Sequence, residues 1–265
     1  MPEILHYSEH FPQDTTNDIS NIPVVVLLHG LFGSSDNLNI IRKSLQFQFR
    51  VISIDLPDHG KSPRSNAFSF DNYAQQVLLT LKQLGIHKTS IVGHSLGGKV
   101  AMWAAYLQPQ LIDKLIILDI APIAYKPRHQ NVIHALKAVT LDCVVSRKHA
   151  QQLMANFIED PATQAFLLKS FYEKDDQWYW RFNLDLLIRD YSLLSDWTLN
   201  GKVVYKDEVL FIKGVNSDYL LAEYQAVIKT QFPKASSKLV QAGHWLHAEK
   251  PQVVNSLITK HLLGV

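Results

Sequence analysis

Three observations predict an α/β fold, a mostly parallel central sheet flanked by helices. Short β-branched runs alternate with helical periodicities along most of the chain. The runs are apolar almost throughout, as strands buried on both faces are. A chain of 265 residues, 47% hydrophobic, is also long enough to bury one large core.

The elements follow in order. Val24–Leu28 (VVVLL) ends at His29-Gly30, residues 51–54 at Asp55, 90–92 at Gly93, 115–118 at Asp119 and 209–212 at Lys213-Gly214. Between them, Phe70, Tyr73, Ala74, Val77, Leu78, Leu81 and Leu84 make one apolar stripe at helical spacing, with Asp71 near its start. A second helix opens at Ser95, carries Val100, Ala101, Ala104, Ala105 and Leu107, and should stop near Pro109. The run 238–241 precedes His244, and a terminal helix begins near Pro251.

The alternation fails between residues 122 and 201, which hold apolar helical stretches at 132–139 and 150–158 and the aromatic run Trp178, Tyr179, Trp180 and Phe182. This predicts a core of residues 1–121 and 202–265 and a mostly helical insert, 122–201, packed over the strand ends as a cap.

Composition narrows the function. The net charge is +2 and Lys and Arg are scattered, so neither nucleic acid nor an anionic membrane is an expected partner. No apolar run of about 18 residues predicts a membrane span. The first residues lack a basic stretch followed by an apolar one, so no signal peptide is expected and the cytoplasm is the expected location. Cys143 is the only cysteine, which excludes an intrachain disulfide and suits a reducing compartment.

The chemistry centres on Gly93-His94-Ser95-Leu96-Gly97, a G-x-S-x-G motif. Alone the pattern arises by chance, but here it sits between a strand and a helix, the setting that exposes a nucleophilic serine on a strained turn. Glycines two residues to either side remove side chains that would collide with neighbouring elements. The N–H of Leu96 and that of Leu31, in His29-Gly30-Leu31-Phe32-Gly33, are the candidate oxyanion donors. Among twelve histidines, His244 in Ala242-Gly243-His244-Trp245 is the candidate base, with His247 its nearest competitor. The spacing of that pair could suit a metal, but no cysteine or carboxylate cluster completes a site. His29, His59 and His94 lie in glycine-bounded turns and read as turn or packing residues. The acid is Asp119 or Asp218, each near a strand end. In this arrangement the acid commonly stands three residues after Gly214, where this chain has Ser217, and Asp218 comes one residue late.

Assembled, these residues make the chain resemble the α/β-hydrolase superfamily over almost its whole length, and more closely the YbfF-type esterase group, which is similar to the ABHD11-like proteins. HGLFGSSDNL (29–38), DLPDHGKSPR (55–64), GHSLGGK (93–99), DKLIILDIAP (113–122), FLLKSF (166–171), RFN (181–183), GVNSDY (214–219) and AGHWLHAEKP (242–251) carry the resemblance. It implies an α/β-hydrolase fold with a helical cap inserted after strand 6, and a serine esterase that cleaves small-molecule acyl esters, with acyl-CoA thioesters as a further class. It supports Asp119 as the acid. The turn DLPDHGKS departs from the superfamily's D-x-R-G-x-G-x-S, since Pro57 and Asp58 replace Arg and Gly. No role of that arginine carries over.

The expected mechanism is attack by Ser95, with His244 as base and no metal or organic cofactor. Phe32, Phe171, Trp178, Trp180 and Phe182 could line an acyl channel or equally form the core of the cap. Arg181 and Lys99 are candidates to attract an anionic leaving group. The motifs also fit a receptor or scaffold that binds without turnover, and C–C hydrolysis or perhydrolysis.

Overall fold

The computed structural model describes residues 3–13 and 22–265. Strands β1 (Tyr7–His10), β2 (Val24–Leu28), β3 (Arg50–Ile54), β4 (Thr89–His94) and β5 (Ile112–Leu118) form one sheet with β8 (Val209–Gly214) and β9 (Ala235–Val240). Their order is β1-β3-β2-β4-β5-β8-β9. Only β1 is antiparallel to its neighbour. Alternate residues of the parallel strands feed two cores. Val26, Leu28, Ile52, Ile54, Ile91 and Ile117 face one side. Val25, Leu27, Val51, Val92, Ile116 and Leu118 face the other. Both faces are covered, which is why these runs read as continuously apolar.

On the first face lie α2 (Phe70–Gln83) and α3 (Leu96–Leu107). Ser69 caps α2 by accepting from the N–H of Asn72. Residues 96–105 of α3 are all buried, and the helix packs against both α2 and the sheet. On the second face lie α1 (Asn39–Leu45), α10 (Leu246–Glu249) and α11 (Pro251–Leu263). Proline at the first turn of α11 occupies a position where the missing N–H has no helical acceptor to lose. Helix α9 (Gln225–Gln231) precedes β9.

Between β5 and β8 the chain forms α4 (Gln130–Ala138), α5 (Arg147–Ala155), α6 (Pro161–Leu168), α7 (Leu184–Arg189) and α8 (Tyr191–Ser195). It also forms a hairpin of β6 (Phe171–Lys174) and β7 (Gln177–Trp180). This hairpin departs from the mostly helical insert that the sequence predicts. Asp175 and Asp176 have φ of 52° and 59°, the left-handed pair a tight hairpin turn needs, and the flanking aromatics favour strands. Among the described residues the segment follows the fifth strand, where the resemblance implies the sixth; residues 14–21, between β1 and β2, lie outside the described residues.

The departure at Pro57-Asp58 acquires a structural meaning. The Asp58 carboxylate is buried and accepts from Tyr73 Oη at 2.8 Å, the Ser65 N–H at 2.7 Å and Asn183 Nδ2 at 2.9 Å. Its carbonyl accepts from the Asn183 N–H at 2.8 Å. One side chain thus ties the 55–64 turn to α2 and to the segment between β5 and β8.

Candidate active site

Ser95 stands where β4 gives way to α3, with φ 52° and ψ −117°. A non-glycine residue seldom adopts such a conformation, and its surroundings enforce it. A Cβ on Gly93 would lie 2.4 Å from the Gly97 carbonyl oxygen, and one on Gly97 would lie 2.3 Å from that of Leu28. Neither backbone could yield, so both positions exclude side chains. Gly30 is nearly as confined, since a Cβ there would come within 2.9 Å of His94 Nδ1.

The loop after β2 turns tightly, with the Gly33 N–H donating to the Gly30 carbonyl and Phe32 at φ 60°. Two buried histidines hold it. His59 Nε2 accepts from the Phe32 N–H at 3.2 Å, and His59 Nδ1–H donates to the Pro57 carbonyl. His29 Nε2 accepts from the Leu56 N–H at 3.0 Å, and Nδ1–H donates to the Gly30 carbonyl. Each ring therefore uses one nitrogen as acceptor and is neutral. Burial, helped by neighbouring His29, pushes His59 down to about 3. Burial also lowers His29, against the opposing pull of Asp55.

That neutrality fixes an acid limit. The unfolded chain binds these protons below about pH 6.5 while the fold refuses them. Stability is therefore intact above that pH and is lost as pH falls toward about 3, the value of His59. While that mismatch persists, His59 alone costs about 1.4 kcal/mol per pH unit. His247, which burial also lowers to about 3, adds in the same direction. Urea midpoints are expected to drop steadily from pH 6.5 to pH 5 at constant m-value, and a flat profile over that range would contradict the neutral assignment.

His244 follows β9, and its Nδ1 lies 2.8 Å from Asp119 Oδ2. Asp119 immediately follows β5, with φ 50°, and is fully buried. Its Oδ1 accepts from the Gly214 N–H at 2.9 Å, and its Oδ2 also accepts from Ser217 Oγ. Ser217, at the position where an acid is common, thus donates to the carboxylate of Asp119 instead. Asp218 lies elsewhere: its carboxylate is 73% exposed and pairs with Arg128 at 3.0 Å. His94 Nε2–H donates to the His244 carbonyl, and the buried His247 packs edge-on against His94.

Ser95, Leu31, Tyr219 and His129 line two adjoining hollows. The larger, about 210 Å³, is completed by His244, Phe32, Val132, Phe166, Leu167 and Trp245. The smaller, about 40 Å³, reaches Leu96, Lys99, Tyr125, Arg128 and Tyr191.

The other aromatics named from the sequence line neither hollow. Trp178 stacks on Phe171 and Trp180 on Phe182, which packs against Phe32. Strand alternation directs them into the hairpin's own contacts, while α4 and α6 supply the apolar wall. Arg181 lies over the Tyr172 ring and is absent from both hollows. Lys99 is buried, donates to the Ser195 and Asp196 carbonyls, and sits among Phe70, Tyr125 and Trp197. Burial lowers it to about 7. Tyr219 and His129 were not singled out in the sequence; only the aromatic ending of GVNSDY hinted at the former.

Residues 23–141 match the family model described as the alpha/beta hydrolase fold. The chain is 37% identical over 253 residues to esterase YbfF of Escherichia coli K12, covering 94% of this chain and 96% of that protein. It is 33% identical over 252 residues to the mouse (Mus musculus) sn-1-specific diacylglycerol lipase ABHD11, covering 92% and 82%. The solved structure of a marine microorganism esterase superposes with a TM-score of 0.90 at 30% identity, covering 97% of this chain and 99% of that one.

Proposed function

This chain belongs to the α/β-hydrolase family, in the group that holds esterase YbfF and the ABHD11 lipases, and on that footing we propose that it is a serine esterase working through Ser95, His244 and Asp119. The observation that carries this reading is the 2.8 Å contact between His244 and a buried Asp119, beside a cavity that His244 shares with Ser95.

In the proposed cycle His244 takes the proton of Ser95 as its oxygen attacks the acyl carbonyl. Asp119 keeps the Nδ1 proton in place and balances the charge that forms on the ring. The N–H groups of Leu31 and Leu96 receive the oxyanion, and among the described residues neither donates to a backbone acceptor within the protein. His244 then protonates the leaving alkoxide, leaving an acyl-enzyme that water, activated by the same base, releases as the acid. The steps hold for a thioester, with thiolate as leaving group. Segment 122–201 acts as the cap, since α4 and α6 close the apolar side of the cavity.

The larger hollow is below the about 300–1,000 Å³ of drug-sized sites, which favours short- or medium-chain acyl groups. Graded p-nitrophenyl esters and acyl-CoAs test this. The kcat/KM is expected to peak at short or medium chains and fall for long ones. A maximum at the longest chains would contradict the size argument, and no hydrolysis of any member would contradict the esterase itself.

A further inference from the structure

The second pillar beside the base is an aromatic ring. The rings of Tyr219 and His244 lie 4.0 Å apart between centroids and 23° from parallel. The Tyr219 hydroxyl is 2.9 Å from His129 Nε2, and His129 Nδ1 is 2.5 Å from the hydroxyl of Tyr191. His129 immediately precedes α4, and Tyr191 opens α8. A chain of contacts therefore runs from the segment between β5 and β8, through Tyr219, to the face of the imidazole. Tyr219 is itself tied down: its carbonyl accepts from Tyr125 Oη, which accepts from the Ala121 N–H at 2.8 Å.

We propose that Tyr219 is a positioning residue for His244, backing the ring during proton transfer and keying it, through His129, to the segment above. The proposal rests on His244 being the base. Asp119 fixes the edge of the imidazole but leaves it free to tilt about that bond, and Tyr219 supplies the missing face contact. A π face also favours the imidazolium that forms when Ser95 gives up its proton. The groups facing His244 are Asp119 from β5, His94 from β4, His247 from α10, Tyr219 after β8, and His129 with Arg128 ahead of α4. Burial brings His129 down to about 4, so at neutral pH its ring remains neutral between the two hydroxyls.

The test compares Tyr219→Phe, Tyr219→Leu, His129→Phe and the double Tyr219→Phe/His129→Phe with His244→Ala on a p-nitrophenyl ester. Tyr219→Phe keeps the ring and is expected to lose about fivefold in kcat. Tyr219→Leu loses ring and hydroxyl and is expected to lose about thirtyfold, with KM little changed. In Tyr219→Leu alone the acid limb of the kcat/KM profile moves to lower pH, because the group favouring the charged ring is gone. The double variant loses no more than His129→Phe, since both break one link. A wild-type kcat in Tyr219→Leu, or a loss confined to KM, overturns the proposal. If Tyr219→Leu does not fold, the double-mutant cycle decides, and losses that multiply overturn it. Activity surviving in His244→Ala would instead overturn the assignment of the base.

Discussion

Ser95→Ala is expected to lower kcat on ester substrates by about 10⁶-fold while leaving the fold intact, the loss that follows removal of a triad nucleophile. No other hydroxyl can take over, because Ser95 alone occupies the strained corner between β4 and α3. Alanine fits that corner and shortens nothing in the backbone. KM should change little, since the walls of the larger hollow come from Phe32, Val132, Phe166, Leu167 and Trp245. The residual rate would still exceed that of water by about 10³–10⁴, because the proposed oxyanion donors, the N–H groups of Leu31 and Leu96, are backbone groups and survive. Thermal melting of the variant at the wild-type temperature, with turnover reduced about 10⁶-fold, is the combined result to look for.

The second large effect separates two carboxylates. Asp119→Asn is expected to cost about 10⁴ in kcat. The reason lies in its partners: Gly214 N–H points at one oxygen and Ser217 Oγ at the other, so both demand acceptors. An amide would turn its NH₂ toward one of these donors, or toward His244 Nδ1, where it would impose the wrong tautomer. Asp218→Asn removes one exposed ion pair with Arg128 and is expected to change kcat by less than about fivefold. Parallel kcat measurements on the two variants check the assignment, and a large loss confined to Asp218→Asn would reverse it.

Much of this was legible in the sequence because the signals are local. The apolar runs mark the parallel strands, and the spacing of Phe70 to Leu84 matches α2 to within one residue. Gly93 and Gly97 exclude side chains for the steric reason their motif suggested. What the residue pattern does not record is what joins distant residues: Asp58 meets Asn183 across 125 positions and Tyr219 meets His129 across 90, while the partner of His244, 125 positions away, stays open between Asp119 and Asp218 until the resemblance favours Asp119. No periodicity records such pairs. The hairpin at 171–180 escaped for another reason: its four-residue strands are too short for alternation to be told from a helical turn. Residue type alone leaves the aromatics there open between an acyl channel and the core of the cap, and their stacking on one another decides for the second.

The proposed cycle passes through a covalent bond from substrate acyl carbon to Ser95 Oγ, made possible by His244. The most direct measurement is intact and peptide mass spectrometry after acid quench of the protein mixed with a p-nitrophenyl ester. The expected result is an acyl adduct on the peptide containing Ser95, formed by the wild type and missing from both Ser95→Ala and His244→Ala. Turnover with the adduct on another residue, or undiminished turnover in Ser95→Ala, would contradict it.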